Sequence, residues 1–362
     1  MANLAAIEGG YPAEVTSGRR DPSMDTIRFF AVILVVLFHF MAPITTRGGI
    51  IDRAYYATWM LRVPLLIFVA GWFSSAELPT RRSMTRLLQS IVVVYLLFEL
   101  IERAQTYLNT GAFPMDWSLP SYGLWFLITV ATLRLILPYL ARVRWFGLVA
   151  VLASLLAGFI GNGEVFAVQR SIAFLPIFLL GWYARQSGLR ERLKVPLIRS
   201  IALVVLVVSS AAGWLLVMTL NRRMVGMWSA YEGDVLVALG MRLVILAWSG
   251  LVALAVLALV PRRRVPLASA CGAGSMSAYL LHLLVQRQWG YMGGPEAVDG
   301  YVGVAVLALA AIALAVVLML PAVRRPFRPL IQPRWEWFLR AAPEPRLTAE
   351  PLRTEPDRAA RD

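Results

Sequence analysis

Apolar residues run through this chain in long, nearly unbroken stretches, and the polar positions gather between the stretches rather than alternating within them. With about 20 residues as the length of helix that crosses a bilayer, ten segments qualify: 27–44, 55–76, 87–107, 121–140, 145–161, 168–184, 200–220, 235–260, 273–292 and 301–322. Hydrocarbon offers no water to satisfy backbone N–H and C=O groups, so such runs are expected as helices. The pattern predicts an all-α polytopic membrane protein of about ten transmembrane helices.

The loops between the runs alternate in charge. Arg19 and Arg20 precede the first run, and Arg81, Arg82 and Arg86 follow the second. Arg142 and Arg144 follow the fourth; Arg185, Arg190, Arg192, Lys194 and Arg199 the sixth; Arg262, Arg263 and Arg264 the eighth; Arg324, Arg325 and Arg328 the tenth. The other loops are poorer in cations, with Arg47, Arg53, Arg170, Arg222 and Arg223, and they carry Asp52, Asp116, Glu164, Glu232, Glu296 and Asp299. Cations accumulate on the cytoplasmic side of such proteins, so both termini are expected there, in a multi-pass protein of the plasma or inner membrane.

The organisation that follows is a cytoplasmic segment over 1–24, a membrane domain over 25–325 and a cytoplasmic tail over 326–362 rich in proline and charge. Trp335, Trp337 and Phe338 are expected as an interfacial anchor, with disorder beyond them. The first twenty residues, with Glu8 and Glu14 and no apolar core, do not read as a cleavable signal peptide. The loops are short, which leaves chemistry to the membrane bundle itself.

Composition agrees with this reading and narrows the chemistry. Of 362 residues, 59% are hydrophobic and 15% charged, too oily for an ordinary soluble surface. The net charge of +14 is the loop arginine that membrane topology calls for, so no nucleic-acid partner is expected. Cys271 is the only cysteine and cannot form an intramolecular disulfide, and the two histidines have no HExxH spacing, so no metal site is expected.

Ionisable residues inside apolar runs are costly and point to function. From Arg28 to His39 the chain reads RFFAVILVVLFH, a rise of about 16 Å along a helix, with a cation near one membrane face and an imidazole deep in hydrocarbon. Counting inward along the first, third and ninth runs puts His39, Glu99 and His282 at about the same depth, near the midplane. An imidazole beside a carboxylate works as a general base, which makes these three the candidate catalytic group. Other readings stay open: His39 as a hydrogen bond that packs helices, His282 as chemical or structural, and Glu99 as an ion pair with Arg103 one turn away. Arg28 and Arg134 lie toward the cytoplasmic side, where they fit either the phosphates of a nucleotide-like donor or anionic lipid headgroups. Arg62 and Arg242, in the outer half, are expected to neutralise Glu99 or Glu102.

Four stretches resemble the acyltransferase 3 family of multi-span membrane acyltransferases, which includes a surface-polysaccharide and fucose O-acetylase branch. Asp25, Arg28 and His39 are similar to its acidic-x-x-Arg opening and its Arg-x10-His pattern. Pro64, Gly71 and Phe73 in RVPLLIFVAGWF resemble its PLFFxxSGYF segment, LWFL at 124–127 its Trp-Phe-Leu element, and SAYLLH at 277–282 its Ser-x-x-Tyr-Leu-x-His ending. The four occur in family order. Three positions depart: Ala70 stands where serine is usual, Arg62 where many of the acetylase branch have histidine, and Phe29 where glycine is common.

The resemblance implies transfer of an acyl group, most often acetyl from cytoplasmic acetyl-CoA, to a hydroxyl of a cell-envelope glycan, glycolipid or small hydrophobic molecule, with membrane lipids as the remaining partner. On that reading Arg28 sits at the mouth of a donor channel and binds CoA phosphate or shapes the channel, with Asp25 and Arg134 as further candidates for binding the donor. His39 is then the general base on the acceptor, or a transient acyl carrier, with a passage leading to it past Arg28. A transporter or flippase for an envelope precursor is the competing reading, since many spans with midplane ionisable residues also describe secondary transporters. Neither an inverted repeat nor paired Gly/Pro-broken helices are evident in its favour.

Overall fold

A computed structural model describes residues 21–161 and 164–333; the regular structure in them is helical, and no strand occurs among the described residues. The first twenty residues, most of the 326–362 tail and the aromatic anchor at Trp335, Trp337 and Phe338 lie outside the described residues.

Helix α1 (Pro22–Met41) starts where Asp21 accepts a hydrogen bond from the Ser23 N–H at 3.0 Å and Pro22 takes the first position, where no N–H is needed. The second run folds as α2 (Ile50–Ala57) and α3 (Val63–Trp72), joined by a tight turn at Trp59–Leu61 and bent by 52°. The third is continuous from Arg81 to Thr110: α4 (Arg81–Leu87) and α5 (Val93–Thr110) meet through one wide turn at Leu88–Val92. Then come α6 (Trp125–Leu140), α7 (Phe146–Leu156), and a second bent pair, α8 (Val168–Ala173) and α9 (Leu175–Gln186), at 53°. A single turn α10 (Leu189–Arg192) leads to α11 (Pro196–Leu215), and another, α12 (Arg222–Val225), to α13 (Val235–Leu259). The third bent pair, α14 (Pro266–Gly272) and α15 (Ser275–Tyr291), turns by 69° before α16 (Gly300–Met319).

Among the described residues, five helices are long and apolar enough to cross a membrane, or up to eight if each bent pair is one span. Trp125–Leu140 and Phe146–Phe159 are apolar but shorter. The hydrophobic runs are therefore all helical, and three of them are broken. Pro64 and Pro176 sit just past the first two breaks, and proline cannot donate back across the break. Broken backbone at membrane depth is tolerated where it lines a cavity.

Helix α1 packs against α3, α14, α15 and α16, which makes it the axis of the bundle. The α3/α9 crossing is set by two glycines facing each other's backbone. A Cβ on Gly71 would stand 1.9 Å from the Phe178 carbonyl oxygen, and one on Gly181 1.9 Å from that of Phe68. Small residues are how helices in lipid come this close. The outer faces are apolar, with Leu197, Ile201 and Val208 on α11 and Val302, Val306 and Leu309 on α16 exposed, as a hydrocarbon surrounding demands.

Ion pairs sort the two ends of the bundle. At one end Arg190 binds Asp21 at 3.0 Å, and Arg262 and Lys194 both pair with Glu191, tying together the loops around α1, α10 and α14. This end also carries Arg81 and is called the arginine-rich end below. At the opposite end Arg222 binds Asp52 at 3.2 Å, and Arg47 donates to the Leu220 carbonyl at 2.6 Å.

Candidate active site

His39 and His282 meet between α1 and α15, with His39 Nδ1 2.8 Å from His282 Nε2 and the rings stacked 5.0 Å apart. His282 is fully buried, and its Nδ1 lies 2.7 Å from the Ala278 carbonyl oxygen of its own helix. A carbonyl only accepts, so His282 Nδ1 must carry the hydrogen. In the neutral ring Nε2 is then a bare acceptor, which requires His39 Nδ1 to donate to it. This assignment follows from the hydrogen-bond network. It leaves His39 Nε2 with a free lone pair, the form a general base needs.

His39 lines a cavity of about 470 Å³, within the range of small-molecule sites. Its walls come from the pieces on either side of the helix breaks: Tyr55, Trp59 and Arg62 from the α2/α3 break, Arg170 from α8, and Tyr122 and Trp125 from the start of α6. Tyr122 packs on the His39 ring at 4.9 Å. The turn that carries it needs Gly123 at φ +92°, held by a hydrogen bond from Tyr279 Oη to the Gly123 carbonyl. The Tyr279 of the SAYLLH stretch thus positions the wall opposite His39, while His282 of the same stretch orients the imidazole.

Glu99 was expected beside His39, but the partner of His39 is His282. Glu99 Oε1 lies 2.6 Å from Arg103 Nη2, and the carboxylate also accepts from the Ser121 backbone N–H at 3.0 Å and the Ser121 hydroxyl at 2.8 Å. That is the Arg103 ion pair left open by the sequence, extended to hold the loop before Tyr122. Glu102 pairs with Arg287 at 2.7 Å. The expectation for Arg62 and Arg242 is corrected accordingly. Arg62 sits among the rings of Tyr55, Phe38 and Trp59, its Cζ 4.1, 4.4 and 4.8 Å from their centroids. Arg242 donates to the carbonyls of Ser154 at 3.0 Å and Ser229 at 3.2 Å. Cation–π contact and backbone carbonyls, rather than carboxylates, stabilise these two guanidinium groups.

Asp25, Arg28 and Arg134 gather at the arginine-rich end. Arg28 lies 3.6 Å from Asp25 and places its guanidinium 4.3 Å over the Phe73 ring. Phe73 and Arg134 line one cavity of about 390 Å³, together with Ser75, Thr80, Ser83 and Arg86. This cavity and that of His39 share no lining residue. The passage past Arg28 expected from the sequence does not join these two cavities; between Arg28 and the cavity wall at Val35, α1 carries buried Phe29 and Val32.

Sequence reasoning missed Tyr122, Arg170, Arg222 and Trp228 as cavity residues. Arg170 carried a usable signal, an ionisable group inside the apolar stretch VFAVQRSIAF; Tyr122 carried none, because a turn places it. A family model described as "Acyltransferase domain" matches residues 21–323. The chain matches no curated protein and no solved structure.

Proposed function

This chain belongs to the acyltransferase domain family, and from that premise we propose that it is an O-acyltransferase of the cell membrane, moving an acetyl group from acetyl-CoA to a hydroxyl of an envelope glycan or glycolipid. The observation that carries the reading is the His39–His282 pair: an imidazole with its Nδ1 engaged and its Nε2 bare, in the wall of a substrate-sized cavity.

In this mechanism the acceptor enters from the end bearing Asp52 and Arg222. His39 Nε2 takes the proton of its hydroxyl as the oxygen attacks the thioester carbonyl. The tetrahedral intermediate collapses, the C–S bond breaks, and the imidazolium returns the proton to the leaving thiolate, giving ester and free CoA. His282 stabilises the imidazolium through the 2.8 Å bond. At the other end Arg28, Arg134 and Arg86 receive the donor phosphates, and the hydroxyls of Ser75, Thr80 and Ser83 take further oxygens. The pantetheine arm then inserts along α1 past Phe29 and Val32 to bring the thioester to His39.

The test is transfer of label from radiolabelled acetyl-CoA to an envelope extract by the purified protein. His39→Ala is expected to remove transfer while the protein stays monodisperse; undiminished transfer by that variant ends the mechanism.

A further inference from the structure

Two guanidinium groups in the cavity of His39 make no ion pair with a carboxylate among the described residues. Arg62 is 3% exposed; its one hydrogen bond goes to the Tyr55 carbonyl at 2.6 Å, and its Nε is buried with no hydrogen-bond partner. Arg170 lies over Trp125 at 4.2 Å and Trp228 at 4.7 Å. No ion pair or hydrogen bond joins either arginine to a carboxylate among the described residues. The third arginine of the cavity, Arg222, is neutralised by Asp52 at 3.2 Å. Glu164, the acid of the lining, is exposed at the rim. Aromatic rings lessen the desolvation of a cation but do not neutralise it.

We infer that the acceptor bears an anionic group, a carboxylate or a phosphate ester, which binds to Arg62 and Arg170 beside the hydroxyl that is acylated. This rests on reading the cavity as the acceptor site. An anion there brings the charge the site lacks, and its oxygens match the fork of the guanidinium. A neutral acceptor would leave the buried Arg62 with no anion and Arg170 with only the exposed Glu164 carboxylate nearby, an arrangement a low-dielectric setting disfavours. The anion is not the donor's, because the donor-side cavity lies at the arginine-rich end and shares no residue with this one. The departure at Arg62, where histidine is common in the acetylase branch, becomes a determinant of which acceptor fits.

Two arms test this on the purified full-length protein. In the first, the envelope product labelled from acetyl-CoA is freed of CoA and passed over an anion exchanger; label retained and eluted by salt is expected, and label in the flow-through overturns the inference while leaving the transferase intact. In the second, tryptophan fluorescence, reported by Trp59, Trp125 and Trp228 in the cavity wall, is titrated with benzoate, phenyl phosphate and benzyl alcohol. Both anions are expected to bind at least tenfold tighter than the alcohol, with that preference lost in Arg62→Gln and in Arg170→Gln; the tighter of the two identifies the group. Arg170 is only half-buried, so its variant decides the matter if Arg62→Gln does not fold. Equal binding of alcohol and anions, or a preference that survives in folded variants, overturns the anion site. No label in any fraction removes the transferase reading, and the titration then decides the anion site alone.

Discussion

Replacing His282 with alanine separates an orienting partner from a bystander. The substitution removes the acceptor of the His39 Nδ1–H, which the structure holds at 2.8 Å in a buried setting. An unsatisfied buried donor costs about 1–3 kcal/mol, and the ring gains freedom to carry its proton on Nε2, the form that cannot act as base. If that loss falls on the transition state, at about 1.4 kcal/mol per tenfold, kcat drops ~5- to 150-fold. Removing the base itself, in His39→Ala, is expected to cost ~10²- to 10⁴-fold. The assay is initial-rate transfer at saturating acetyl-CoA, with each variant first shown to be monodisperse. His282→Gln, whose side-chain carbonyl can accept from Nδ1, should recover part of the loss. The double variant should be no slower than His39→Ala alone, because the two rings act as a unit. Full activity in His282→Ala, or rate losses that multiply in the double variant, refutes the orienting role.

Other expectations follow from the surrounding geometry. Arg28→Ala should raise the KM for acetyl-CoA with little change in that for the acceptor; steady-state kinetics showing the reverse places Arg28 outside the donor site. Glu99→Gln strands the buried Arg103 guanidinium and should destabilise the protein by ~3–5 kcal/mol, read as a lower melting temperature, while the folded fraction keeps its kcat within about threefold, since Glu99 does not touch His39; a large kcat loss in stable protein would restore Glu99 to the chemistry. The hydrogen bonds and charges of Arg262 and Lys194 hold the exposed Glu191 carboxyl at about 2, below its ordinary 4.5. A lowered folded-state value adds stability that is present above 4.5 and fades as the pH falls toward 2. The melting-temperature gap between wild type and Glu191→Gln should therefore hold from neutrality to about pH 5 and shrink below it; a gap that widens with acid contradicts the pairing.

The parts of this molecule that the sequence revealed are those set by hydrophobicity and local spacing. His39 and His282 stood out because each interrupts an apolar run, and matching depths brought them to one level, where they meet. The Glu99–Arg103 pair was legible because residues four apart share a helix face. The three bends were not, since a hydropathy window responds to composition and is blind to the path of the helix axis. That blindness hid the cavity, whose walls are the broken ends around Trp59, Arg170 and Tyr122. Arg62 was misassigned for a related reason: a buried cation suggested a carboxylate, and the rings that surround it come from α1 and the turn at Trp59, a grouping only the bend creates. Long-range pairs such as Glu102 with Arg287 likewise depend on which helices adjoin.

The proposed mechanism needs donor and acceptor to bind at opposite ends of the bundle with His39 between them. Sealed proteoliposomes holding the protein in one orientation, with radiolabelled acetyl-CoA confined to the arginine-rich side and the envelope acceptor confined to the other, test it directly. Labelled acceptor on the far side, with CoA left behind on the donor side, is the expected result. Label transferred only when both substrates share one side would contradict it.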